Sequence, residues 1–183
     1  GVNDEAEQEE DFFEIGKTRA IWLAINLVTA IAASLVIGIF DSTIQSIVAL
    51  AVLMPIVASM GGNAGTQTLT VTVRQMALGD IEGSDARKTI YKEVVLSLIN
   101  GFIFAVVIGI VAYFWFNIPL LGLVIAISMI INLFSAGFFG AAIPLVLQKL
   151  DIDPAIGSTV LLTTVTDIVG FFSFLGLATI ILL

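Results

Sequence analysis

Apolar residues run along this chain in long blocks separated by short polar breaks. A helix that crosses a bilayer needs about 20 mostly apolar residues. Five segments reach that length: Ala20 to Phe40, Ile44 to Leu78, Val94 to Phe116, Leu120 to Leu147 and Ala155 to Leu183. The breaks are Asp41-Ser42-Thr43, Gly79 to Glu93, Asn117-Ile118-Pro119 and Gln148 to Pro154. The pattern predicts an all-α membrane protein with five transmembrane helices. Ile118-Pro119 and Asp153-Pro154 fit helix starts, because proline suits a first turn and disfavours helix in the residue before it.

The second segment is too long for a single crossing. As one helix, Ile44 to Leu78 would measure roughly 52 Å at 1.5 Å per residue, against a hydrocarbon core of about 30 Å. Entering from outside at Ile44, it reaches the inner face after about 20 residues. That places Gly61-Gly62-Asn63-Ala64-Gly65-Thr66-Gln67 at or near the cytoplasmic mouth. Pro55, which removes a backbone donor, is the expected bend.

Composition then narrows the chemistry. At 58% hydrophobic residues the chain is more apolar than a soluble domain. It has no cysteine and no histidine, which excludes thiol catalysis, imidazole metal sites and histidine triads, so it is not expected to be an enzyme. Any bound metal must be held by oxygen, which favours Mg2+ or Ca2+ over zinc or copper. Seven Lys and Arg against fifteen Asp and Glu, with no basic cluster, argue against a nucleic-acid partner. Much of the net charge of −8 is local: Asp4, Glu5, Glu7, Glu9, Glu10, Asp11 and Glu14 form an acidic tail over residues 1–17. That tail reads either as a solvated segment or as an amphipathic helix, with Phe12 and Ile15 on one side, that a divalent cation would screen.

The basic residues set an orientation. With five spans, Lys17, Arg19, Arg74, Arg87, Lys88, Lys92 and Lys149 all fall on one side. By the positive-inside rule the N-terminus is cytoplasmic and the C-terminus outside. There is no signal-peptide pattern at the start.

Within the apolar segments one acidic residue stands out, Asp167. A charge at the bilayer centre costs about 2.5 to 3.5 kcal/mol on insertion scales and by default marks a functional position. Residues three and four apart share a helix face, so Thr159, Thr163, Asp167 and Gly170 form one polar or small stripe that suits a cation. The alternative is a buried protonated Asp167 bonded to Asn100, Asn132 or a neighbouring threonine. Gly61 and Gly65 make a G-x-x-x-G step, and Asn63 and Gln67 lie one turn apart. That motif reads equally as helix packing or as a pore lining. Steps at Ala30-Ser34-Gly38, Gly101-Ala105-Gly109 and Ala136-Gly140 read as packing. Asn100 and Asn132 are expected to bond between helices.

Met54-Pro55 followed by Gly61 to Gln67, together with Thr163-Thr164-Val165-Thr166-Asp167-Ile168-Val169-Gly170, resembles the MgtE magnesium channel family. The resemblance covers residues 18–183. It implies a homodimer in the plasma membrane with a pore on the two-fold axis, lined by spans two and five and conducting hydrated Mg2+. Asp167 would be the ion site, with Thr163 and Thr159 as its upstream neighbours and Gly170 following. Relatives carry cytoplasmic regulatory domains ahead of the membrane part. The resemblance therefore implies an isolated channel domain over 18–183, with residues 1–17 as the end of a connecting helix. A proton- or sodium-coupled divalent cation transporter is the alternative.

Overall fold

A computed structural model describes residues 12–79, 81, 85–152 and 154–183. The acidic residues 4–11 and Asp153 lie outside the described residues, as do the side chains of Phe12 and Ile15 on which the amphipathic reading of the tail rests.

Among the described residues six helices follow one another: α1 (Phe12–Ile39), α2 (Asp41–Ser46), α3 (Ala49–Ala77), α4 (Asp85–Phe116), α5 (Pro119–Lys149) and α6 (Pro154–Leu182). Five contain a stretch long and apolar enough to cross a membrane: Arg19–Ile39, Ala49–Ala77, Ala86–Phe116, Pro119–Lys149 and Gly157–Leu182. The expected all-α architecture, with five helices long and apolar enough to span, is therefore present. Pro119 and Pro154 each open a helix, with Ile118 extended ahead of Pro119 (φ −119°, ψ 101°), as proline chemistry requires.

Two boundaries differ from the sequence reading. The overlong second segment is broken at Ile47–Val48, giving the short α2 before α3, while Pro55 sits inside α3 without ending it. Thr43, read as a loop residue, is buried in α2 and shares a hydrogen bond of 2.8 Å with Thr179 of α6. The third span begins earlier than its apolar run, so Glu93 lies within a membrane-length helix rather than in a loop.

α5 is the central helix, packed by α4, α6 and α3. Its buried residues run from Leu121 to Leu147. Apolar side chains supply no net driving force between helices in lipid, so close backbone approach matters more. Gly101, Ala105 and Gly109 do pack α4 on α5: a Cβ at Gly101 would lie 3.4 Å from Ile130 Cα, and one at Gly109 would lie 3.1 Å from the Gly122 oxygen. The step on α1 does not pack within this chain. Ala30, Ser34 and Gly38 are exposed, and nothing lies near Gly38. α1 rests on α6 and exposes Leu23, Leu27, Val28, Ile31 and Leu35, a surface suited to lipid.

Candidate ion site and its relatives

Asp167 is half-buried near the middle of α6. It lines a small polar cleft of about 30 Å³ with Thr163 and Thr164 of its own helix and Asn26, Thr29 and Ala30 of α1. That is about one water's volume. Among the described residues the carboxylate has no hydrogen bond or ion pair. Neither Asn100 nor Asn132 lines this cleft. Asn26 and Thr29 were missed by the sequence reading, although an amide and a hydroxyl three residues apart in an apolar span were a legible signal.

The threonines near Asp167 present oxygen rather than hydrogen. Thr163 Oγ1 donates to the Thr159 and Val160 carbonyl oxygens (3.0 and 3.1 Å), and Thr164 Oγ1 donates to Val160 (2.7 Å). Each hydroxyl proton is thus committed to the helix, leaving lone pairs outward. Thr159 is exposed.

Gly170 lies on the Asp167 stripe in projection but is buried at a helix junction. A Cβ there would lie 2.7 Å from Asn132 Nδ2 and 3.1 Å from Val57. Asn132 in turn donates to the Val57 carbonyl oxygen at 2.8 Å, as an interhelical amide should. Its small size therefore serves the meeting of α3, α5 and α6.

α3 has two contrasting faces. Gly61 and Gly65 are buried: a Cβ on Gly61 would overlap the Asn132 side chain, and one on Gly65 would lie 3.0 Å from Leu162. This is the packing role of the two the motif allowed. On the other side Asn63 and Gln67 are exposed, and Ser59, Thr66 and Thr70 join them. Spacings of four, three and four put Ser59, Asn63, Thr66 and Thr70 on one line. Asn63 Nδ2 donates to Ser59 Oγ (3.2 Å), while Thr66 and Thr70 donate to the carbonyl oxygens four residues back (both 2.8 Å). An exposed polar line down a membrane helix requires a neighbour other than lipid.

Residues 54–177 match the model of a family described as MgtE, divalent cation transporter. This chain belongs to the MgtE family. It is 35% identical over 161 residues to the magnesium transporter MgtE of Bacillus subtilis (strain 168), covering 88% of this chain and 36% of that protein. The MgtE of Thermus thermophilus is 32% identical over 165 residues, covering 90% and 36%, and that of Enterococcus faecalis is 31% identical over 176 residues, covering 96% and 39%. The chain thus spans 36–39% of the length of these relatives. As a member of a transporter family it is not an enzyme. Among the described residues no three His, Cys, Asp or Glu side chains gather around a common point.

Proposed function

We propose that this chain forms the conducting part of a homodimeric Mg2+ channel in the cell membrane. The observation that carries the reading is the exposed polar line on α3, beside a helix bearing a half-buried Asp167 that has no partner among the described residues. Two such surfaces facing each other across a two-fold axis would enclose a polar path instead of meeting lipid. Mg2+ dehydrates reluctantly and is usually held through retained waters by one or two carboxylates. Two Asp167 side chains would balance its charge, and the oxygens of Thr163 and Thr159 would receive its water protons.

Asn63 and Gln67 would line the same path from α3, while Gly61, Gly65 and Gly170 let the helices that carry it close. A site built on water-mediated contacts also lets the ion leave, as conduction requires. In this reading residues 18–183 are the channel domain, residues 1–17 are the end of a connecting helix, and the N-terminus is cytoplasmic with the C-terminus outside.

The test is Mg2+ influx into proteoliposomes. Asp167→Ala is expected to reduce flux to the background of empty vesicles while the protein stays folded, and wild-type flux in that variant would reject the ion site. Flux that tracks an imposed pH or Na+ gradient would instead favour a coupled transporter.

A further inference from the structure

We propose that a second cation site lies in the cleft between α3 and α4, built on Glu93 and suited to a hydrated divalent cation. The cleft has a volume of about 360 Å³ and shares no residue with the Asp167 cleft. The inference concerns binding and does not rest on the transport reading.

Two glycines on α5 create the opening. Gly137 receives α4: a Cβ there would overlap Ser97 and come within 3.0 Å of the Glu93 carbonyl oxygen. Gly140 receives α3: a Cβ there would lie 2.8 Å from the Gly65 oxygen and 2.9 Å from Thr68. α3 and α4 are each drawn onto α5 but barely touch one another, so a gap stays open between them.

Glu93, Ser97 and Thr68 are buried along this gap (7%, 7% and 5% exposed), while Gln67 and Asn100 are exposed at its edge. Glu93 is thus more than nine-tenths buried, and among the described residues its carboxylate has no hydrogen bond or ion pair. Its oxygens are not among the buried unpartnered atoms, so they open onto the cleft that Glu93 lines, where a cation can reach them. Lys92 also borders the cleft but is exposed.

The volume and donors favour a cation that keeps its waters. At about 30 Å³ per water the cleft has room for an ion with its first hydration shell. One carboxylate surrounded by amide and hydroxyl oxygens is a donor set for a hard divalent ion bound largely through water.

Mn2+ binding to this chain in detergent micelles, read by electron paramagnetic resonance, tests the site. The chain contains no cysteine, so Leu96→Cys, at an exposed position on the cleft, takes a single nitroxide that nearby Mn2+ broadens. The broadening is expected in the labelled protein and in its Asp167→Asn form. It is expected to require roughly tenfold or more Mn2+ after Glu93→Gln, and to return toward the original titration with Glu93→Asp. Should Glu93→Gln fail to fold, Ser97→Ala combined with Asn100→Ala, both on the cleft, is expected to weaken the same titration. Broadening absent from the parent protein, or unchanged by Glu93→Gln or by that double variant, overturns the proposal.

Discussion

Asn132 of α5 donates a hydrogen bond from Nδ2 to the Val57 carbonyl oxygen of α3 at 2.8 Å. Gly61 and Gly170 make room on either side of that amide, so α3, α5 and α6 meet at one side chain. The helices that carry the candidate ion path are therefore held together by a buried polar contact. Among the described residues Asn132 Oδ1 is buried without a partner, so the amide is not fully compensated, and shape does part of the work.

This junction should behave as a unit. Gly170→Ala and Gly61→Ala each force a methyl group against the Asn132 amide, and each is expected to destabilise the fold by about 1 to 3 kcal/mol. Asn132→Ala removes both the hydrogen bond, about 1 kcal/mol in a membrane, and the obstacle. Unfolding in mixed micelles should therefore show Gly170→Ala costing clearly less in the Asn132→Ala background. Strict additivity in that double-mutant cycle would mean that the two residues do not share a contact.

Glycines elsewhere should divide by what a Cβ would meet. At Gly140 the nearest atom is a backbone oxygen of α3, 2.8 Å away, which cannot rotate aside. Gly140→Ala is expected to cost about 1 to 3 kcal/mol. Gly38 on α1 has nothing within 4 Å, so Gly38→Ala should leave stability within about 0.5 kcal/mol. Thermal unfolding of the two variants side by side checks the contrast, and equal losses would contradict the packing described.

The end of the bundle that carries α2 offers a simpler pair. Thr43 and Thr179 share one hydrogen bond of 2.8 Å, and it joins the short α2 to α6. Thr43→Val and Thr179→Val should each lower stability by about 0.5 to 1.5 kcal/mol, with the double variant little worse than either single one. A double variant showing the full sum would indicate that the hydroxyls act separately.

At the proposed ion site, Asn26 and Thr29 border the same cleft as Asp167. Removing their polarity with Asn26→Leu or Thr29→Val should lower Mg2+ flux several-fold, about fivefold for each kcal/mol of lost interaction, without changing the unfolding temperature greatly. Asp167→Asn, which keeps size and removes charge, should lower flux by about tenfold or more, since a 1.4 kcal/mol loss already has that effect. Unaltered flux in Asn26→Leu would separate the α1 wall of the cleft from the ion path.

Much of this protein was legible in its sequence because bilayer constraints are local. Chain length sets whether a segment can span, proline marks where α5 and α6 begin, and a carboxylate amid apolar residues stands out without any neighbour being known. Those properties determined the all-α class, the five spans and the interest of Asp167. Tertiary structure decided which face of each helix does what. Helical spacing places Gly170 on the Asp167 stripe, yet only packing shows it pressed on Asn132. Spacing joins Gly61 and Gly65 to Asn63 and Gln67, yet packing turns the glycines inward and leaves the amides exposed. Glu93 is the clearest case: the polar stretch from Gly79 to Glu93 reads as a loop, but α4 already begins at Asp85, and α5 closes over the helix at Glu93. Whether a polar residue ends in water, in lipid or in a cleft depends on which helices approach it, and that information is non-local.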